Sequence, residues 1–220
     1  MRSIVIIGSS GHAKVVIDIV ERAEVGRIAG LIDDFRAAGE TTLGYPVLGK
    51  VGDLPRLCSE HALEGGVVAV GDNFARARLV GAIRATSPDF DFPAAVHPAA
   101  ILGRDVSVDE GAVVMAGAVV NPCSRLGRFC ILNTGASLDH DSTLAEFASL
   151  APGARTGGGV SVEPYAAIGI GAVVVQGVRI GEHAVIGAGA TVLEDVPAYS
   201  VAHGTPARPV RKREAGEKYL

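Results

Sequence analysis

The chain has no tryptophan, and aromatic side chains make up only 5 % of its 220 residues. Its core must therefore come from Val, Ile, Leu and Ala rather than from large rings. Cysteine is scarce too, at Cys58, Cys123 and Cys130 only. Three thiols cannot all pair and show no metal-ligand spacing, so neither a disulfide framework nor a metal site is expected. Basic charge is not in excess: 20 Lys and Arg stand against 24 Asp and Glu, a net charge of −4. That balance lacks the positive face that nucleic acid requires. The one basic cluster, Arg208, Arg211, Lys212 and Arg213, is followed by Glu214 and Glu217. Long apolar runs are also missing, and Met1–Gly8 is too short for a secretory core or a membrane span. A cytoplasmic protein with no membrane or nucleic-acid partner is expected.

Glycine is what the chain has in quantity, 29 residues, nearly twice the usual ~7 %. It follows no triplet period, which excludes a collagen-like rod. With 48 % hydrophobic residues and low net charge, it does not mark disorder either. Repetitive β structure remains.

The chain changes character near Pro98. Ser3–Ile7 reads as a strand, and Val15, Val16, Ile19 and Val20 mark one face of a helix from His12 to Arg22. Ile28–Ile32 and Val67–Val70 read as further strands, and Ala75–Thr86 as a second helix. Strands alternating with helices predict a small parallel sheet. From Leu102 to Pro197 the period is six. Of the sixteen first positions in that frame, fifteen are Leu, Ile or Val, the exception being Thr156; every fifth position is small or β-branched. Three hexads, eighteen residues, make one turn of a triangular coil with the first position pointing inward and the fifth at the corner beside it. Glycines such as Gly127, Gly169, Gly181 and Gly187 are expected to supply unusual backbone angles at the corners.

Four groups of residues carry chemistry. Gly8-Ser9-Ser10-Gly11 enters a helix and suits either a tight turn or a phosphate held at the helix N-terminus. Asp33-Asp34 lies at a strand end about twenty residues on, where a dinucleotide enzyme would bind ribose. Asn73, in Gly71-Asp72-Asn73, suits a strand-end turn or a base or phosphate contact. His140 differs from the other five histidines because Asp139 and Asp141 flank it, at an outward third position of its hexad. It suits a surface ion pair or an acylation base whose pKa and tautomer a carboxylate sets.

The [Leu/Ile/Val]-Gly-x-x-[small]-x period resembles the hexapeptide-repeat acyltransferases, and the resemblance covers essentially the whole chain. SIVIIGSSGH at Ser3–His12, Gly71-Asp72-Asn73, His97-Pro98 and the Leu138-Asp139-His140-Asp141 segment resemble its sugar-nucleotide branch. That branch contains sialic acid O-acetyltransferase-like proteins and N-acetyltransferases of nucleotide-linked 4-amino sugars. The resemblance implies an α/β plus all-β fold, with a small Rossmann-like βαβ domain (1–95) that binds the nucleotide sugar. A left-handed parallel β-helix (96–197) and a C-terminal tail (198–220) that helps to bind coenzyme A would follow. It implies His140 as general base and Asp141 as its partner. Gly8, Ser9, Gly11, His12, Asp33, Asp34, Gly71, Asn73 and Asn133 would contact the sugar nucleotide. Ser149, Gly158, Ile170, Ala188, Pro206 and Arg208 would meet coenzyme A, with Gly158 offering its N–H to the thioester. Ser149 departs from the family's usual histidine. Gly204-Thr205-Pro206-Ala207-Arg208 resembles the Gly-Asn-Pro-Ala-Lys ending, in which a cation faces the coenzyme A phosphates. A homotrimer is implied, and outward Val113, Val119, Ala167 and Val173 are apolar enough for subunit packing.

The expected activity is acetyl-CoA-dependent N-acetylation of the C4 amine of a nucleotide-linked 4-amino-4,6-dideoxy sugar, GDP-perosamine-like or UDP-bacillosamine-precursor-like, with no metal. O-acetylation of sialic acid or another sugar hydroxyl is the second expectation. An inactive sugar-nucleotide-binding scaffold, suggested by Ser149, is the third.

Overall fold

Five consecutive residues of β1 (Ser3–Ile7) are buried, as they must be in a central parallel strand covered on both faces. The computed structural model describes residues 1–219; Leu220, the last residue of the expected tail, lies outside them. Helix α1 (Gly11–Arg22) buries Ala13, Val16, Ile17, Ile19 and Val20, whereas Val15, expected on that face, is exposed. Next come β2 (Arg27–Ile32), a short antiparallel pair of β3 (Thr41–Thr42) and β4 (Tyr45–Gly49), then α2 (Leu54–His61), β5 (Leu63–Val68) and α3 (Asn73–Thr86).

The strand expected at 67–70 starts four residues earlier because Gly65 and Gly66 hide its apolar pattern. A Cβ at Gly65 would lie 2.4 Å from the Asp91 carbonyl oxygen, and one at Gly66 would lie 2.7 Å from that of Val5. Glycine is there for close backbone approach. The sheet order is β3-β4-β2-β1-β5, so the chain reverses direction across the sheet at β1. The crevice beyond the carboxyl ends of β1 and β5 is the topological switch point, where open α/β sheets bind ligands.

Seventeen two-residue strands follow at six-residue intervals, β6 (Ala95–Val96) through β22 (Thr191–Val192). They stack in parallel with partners eighteen residues apart, as in Val119 with Ser137 and Leu132 with Leu150. Three flat faces result, of which one is extended by the hairpin β23 (Ser200–Gly204) and β24 (Ala207–Lys212). First-position Val120, Leu132 and Leu150 and fifth-position Ala118, Cys130 and Ala148 are all fully buried in one aliphatic column. The first rung is open, with Leu102 39 % exposed.

The corner glycines require a correction. Gly127, Gly169, Gly181 and Gly187 do not adopt positive φ; a Cβ would collide with the next rung at the first three, as at Gly169, 2.6 Å from the Ile186 carbonyl oxygen, and with His203 of the terminal hairpin at Gly187. The left-handed angle sits two residues later, at the fourth position. Gly111, Gly117, Gly135 and Gly153 occupy it, but so do Asp141, Phe129, Phe147, Tyr165 and His183. The last four lie on one corner and form a ladder of rings outside the coil, with centroid spacings of 5.2, 5.4 and 4.5 Å.

Against this ladder docks the start of α3. Arg76 is 1 % exposed and donates to the carbonyls of Phe129, Phe147, Val70 and Gly71 and to Asn73 Oδ1, at 2.7–3.0 Å. Burial lowers its pKa to about 10, so it stays charged at neutral pH. Outward Val113 and Ala167 are buried, and Val113 packs with α1 residues of the N-terminal lobe. They are not available for subunit packing, as had been expected of them. Among the described residues no helix is long and apolar enough to cross a membrane.

Candidate active site

The switch-point loop is built around Gly8, whose φ is +105° and whose Cβ would lie 2.8 Å from the Ala69 carbonyl oxygen. Only glycine fits both constraints. Beyond it, α1 begins with no acidic residue and no side-chain cap in its first turn, and Gly11 has no atom within 4 Å of a built Cβ. The helix N-terminus therefore presents open N–H groups to an anion. Ser9 takes a different part from the one expected: it is 4 % exposed, and its hydroxyl donates to Asp33 Oδ2. Asp33 Oδ1 accepts from the Phe35 N–H at 2.8 Å, so Asp33 shapes the loop. Asp34 Oδ1 accepts from the Val51 N–H at 2.9 Å.

Past the end of this loop, at His12, a cleft of about 420 Å³ lies between the N-terminal lobe and the coil. It brings together His12, Gly71, Asn133, Ser149, Ile170 and Ala188, as well as Tyr219, which the sequence reading missed. Burial lowers the His12 pKa to about 4, helped by the Arg76 charge, so the ring is neutral at physiological pH. Its Nε2 is buried without a hydrogen-bond partner among the described residues. A buried polar atom left unpaired beside a cleft calls for a ligand group. Asn133 Oδ1 accepts from the Thr134 N–H at 2.8 Å, which fixes the amide at the cleft wall. Tyr219 returns from the C-terminus to accept a hydrogen bond from the Asn73 N–H at 3.1 Å.

Asn73 itself is not a substrate contact. It is 1 % exposed; its amide donates to the carbonyls of Tyr165 and Ala166 and its Oδ1 accepts from Arg76. Every polar atom of that side chain holds the junction between lobe and coil.

His140 and Asp141 stand at the next corner of the coil. Asp141 adopts φ 56°, a conformation that short polar side chains tolerate, and its Oδ2 lies 2.7 Å from His140 Nδ1. The Asp141 hydrogen bond, and then the charge of Asp139, raise the His140 pKa above its ordinary value. The ring lies flat over Gly158: a Cβ there would be 2.5 Å from both Cε1 and Nε2. Asp139 is itself held below the usual carboxylate range by hydrogen bonds from the Asn121 amide and the His140 N–H. Two buried serines fix the main chain behind the pair: Ser124 Oγ donates to the Asp139 carbonyl at 2.8 Å and Ser142 Oγ to that of His140 at 3.2 Å. Their signal was present in the sequence, as two serines one rung apart in a column of mostly small apolar fifth positions.

Within one chain, then, Asn133, Ser149, Ile170 and Ala188 share the cleft, whereas His140, Asp141 and Gly158 lie one face away. Six residues of extended chain, at most about 20 Å, separate the two corners. Pro206 and Arg208 lie on the terminal hairpin, where the Arg208 guanidinium is half exposed and 4.0 Å from Glu194. Among the described residues no cluster of three or more His, Cys, Asp or Glu is arranged to hold a metal.

Residues 3–83 match the family described as the PglD N-terminal domain. UDP-N-acetylbacillosamine N-acetyltransferase of Bacillus subtilis is 34 % identical over 120 residues, 53 % of this chain and 52 % of that protein. That match spans about half of the curated relative's length. A histidine-to-alanine variant of GDP-perosamine N-acetyl transferase from Caulobacter crescentus, solved with CoA and GDP-perosamine, is 38 % identical with a TM-score of 0.90. The similarity covers 96 % of this chain and 98 % of that one. The acetyltransferase domain of PglB from Neisseria gonorrhoeae, in complex with acetyl coenzyme A, is 34 % identical over 95 % of this chain and 99 % of that one, with a TM-score of 0.87. Likeness of this extent over both lobes shows that the chain belongs to the hexapeptide-repeat sugar-nucleotide N-acetyltransferases.

Proposed function

We propose that this chain transfers an acetyl group from acetyl-CoA to the C4 amine of a nucleotide-linked 4-amino-4,6-dideoxy sugar, with His140 as general base. The observation that carries this reading is the 2.7 Å pair of His140 Nδ1 and Asp141 Oδ2, set over a residue with no side chain. Asp141 holds the proton on Nδ1, which leaves the Nε2 lone pair facing outward as the acceptor. As the amine nitrogen bonds to the thioester carbonyl carbon, His140 takes the proton that the nitrogen sheds. It returns that proton to the coenzyme A sulfur as the carbon–sulfur bond breaks. Gly158 supplies an outward N–H to the thioester oxygen.

The N-terminal lobe (1–95) holds the nucleotide, the coil (96–197) carries the chemistry and the tail (198–220) adds Arg208 for the coenzyme A phosphates. The acetyl donor runs along Ser149, Ile170 and Ala188. Because the cleft and the His140 corner are separated within one chain, the complete site lies between copies in a homotrimer. The exposed apolar face at Ile101 and Val173 supports such packing.

The test is a panel of nucleotide-linked 4-amino sugars, with sialic acid as the hydroxyl acceptor, followed by coenzyme A release. Acetylation of an amino sugar by the wild-type enzyme and its loss in His140→Ala, with the fold intact, is the expected result. Acetylation of sialic acid alone would move the reading to O-acetylation. Nucleotide-sugar binding without acetyl-CoA binding would move it to a scaffold.

A further inference from the structure

Among the described residues the most exposed large apolar side chain is Phe35, 98 % accessible, at the rim of a small cavity of about 90 Å³. The cavity floor is apolar, formed by Ile7, Ile32 and Val70 at the carboxyl ends of the lobe's strands and by Leu79 of α3, and Asp34 stands on the same rim. Gly8 borders it too, and His12, four residues on, borders the cleft, so the anion-binding loop joins the two. A nucleotide sugar with its diphosphate on that loop and its sugar in the cleft would bring its base here. The Phe35 main chain is fixed, because its N–H donates to Asp33 Oδ1 at 2.8 Å, while its ring is bare.

An exposed ring beside an apolar slot suits a planar base, which stacks on aromatic faces whatever its identity. Asp34 supplies the discrimination. One of its oxygens accepts from the Val51 N–H at 2.9 Å; the other accepts no hydrogen bond among the described residues. A carboxylate can only accept. The Watson–Crick edge of uracil or thymine has one N–H between two carbonyl oxygens, and those oxygens would face the carboxylate with like charge. Guanine offers N1–H and N2–H side by side, which a carboxylate oxygen can accept without such a clash. We infer that this slot reads a guanine base, stacked on Phe35 and selected by Asp34, so that the acceptor substrate is a GDP-linked sugar. This rests on the reading that the N-terminal lobe holds the nucleotide.

Titration calorimetry of the full chain with GDP, UDP, dTDP and 2′-deoxy-GDP, without acetyl-CoA, tests the inference. GDP is expected to bind at least tenfold more tightly than UDP or dTDP. Phe35→Ala is expected to weaken GDP binding by about tenfold. Asp34→Asn is expected to narrow the preference for GDP, because its amide nitrogen meets the base's donors with another donor. Both side chains are exposed, so melting temperatures should not move. The inference is overturned if UDP or dTDP binds as well as GDP, or if Phe35→Ala binds GDP normally. A loss with 2′-deoxy-GDP as large as that in Asp34→Asn would assign Asp34 to the ribose and overturn it as well. Selective GDP binding by a protein that acetylates no amino sugar would remove the proposed activity and leave the base assignment standing.

Discussion

Replacing Gly158 by alanine adds a single methyl group, and the structure says where it goes. The new Cβ would lie 2.5 Å from Cε1 and Nε2 of His140 and 3.0 Å from Nδ1. Carbon contacts relax near 3.5 Å, so the imidazole must retreat by about 1 Å. It cannot do so without stretching the 2.7 Å contact to Asp141, because the Asp141 main chain is held by its N–H donating to the Pro122 carbonyl at 3.1 Å. The backbone itself has no reason to object, since Gly158 does not adopt positive φ. A Gly→Ala change at a compatible position stabilises by about 0.4–1 kcal/mol through the unfolded chain. Misplacement of a reacting group by about 1 Å costs on the order of 100-fold in rate. Gly158→Ala should therefore lose about 100-fold in kcat while its denaturation midpoint holds or rises. The Gly158 N–H proposed to meet the thioester is still present in the variant, so the expected loss belongs to the histidine. Coenzyme A release under saturating substrates, beside a urea titration, measures both quantities. Turnover within about threefold of wild type would refute the placement of His140 at the reacting amine.

Three further outcomes follow from the same structure. Asp141 raises the His140 pKa, and only the neutral ring can act as base, so wild-type kcat/KM should fall as pH drops through that raised value; Asp141→Asn should move this limb to lower pH and reduce kcat. His12 has a folded pKa of about 4, below the unfolded value of ~6.5, so the unfolded state binds the extra proton between them. Stability attributable to His12 is complete above about 6.5 and declines as pH falls toward 4, by about 3 kcal/mol in all; His12→Gln should flatten that part of the urea-midpoint profile. Arg76→Met would leave four carbonyls and the Asn73 amide oxygen without their donor, and should destabilise the chain by about 3–5 kcal/mol in equilibrium unfolding, with Arg76→Lys intermediate.

Periodic features of the molecule were open to a reading of the sequence, and features made by distant contacts were not. The hexad frame announced the coil because every rung repeats one packing problem, and the acidic flanks of His140 mark it out without a structure. The junction gave no such signal. Arg76 reads as an ordinary charged residue on a helix until its carbonyl partners, 53 and 71 residues away, come into place. Tyr219 meets the Asn73 N–H across 146 residues, and Asn73 turned from an expected substrate contact into part of that junction. Glycine was misread for a local reason. The sequence shows that a corner lacks a side chain, but only neighbouring rungs show whether the backbone angle or the available space demanded it.

The ring ladder also acts as a gauge of coil length. Arg76 grips the rungs of Phe129 and Phe147, Asn73 grips that of Tyr165, and buried Arg213 in the tail donates to the carbonyl of His183. From Arg213 the chain runs back to Tyr219 at Asn73, which closes a circuit between lobe, coil and tail. A solenoid ordinarily gains or loses whole repeats with little penalty, because each repeat touches only its neighbours. Here an inserted or deleted rung of eighteen residues between Tyr165 and His183 would leave the coil sound but open the circuit. Tyr219 would be carried away from the cleft by one rung, about 5 Å. The number of rungs on the far side of the lobe is thus set by the tail that must reach back across them.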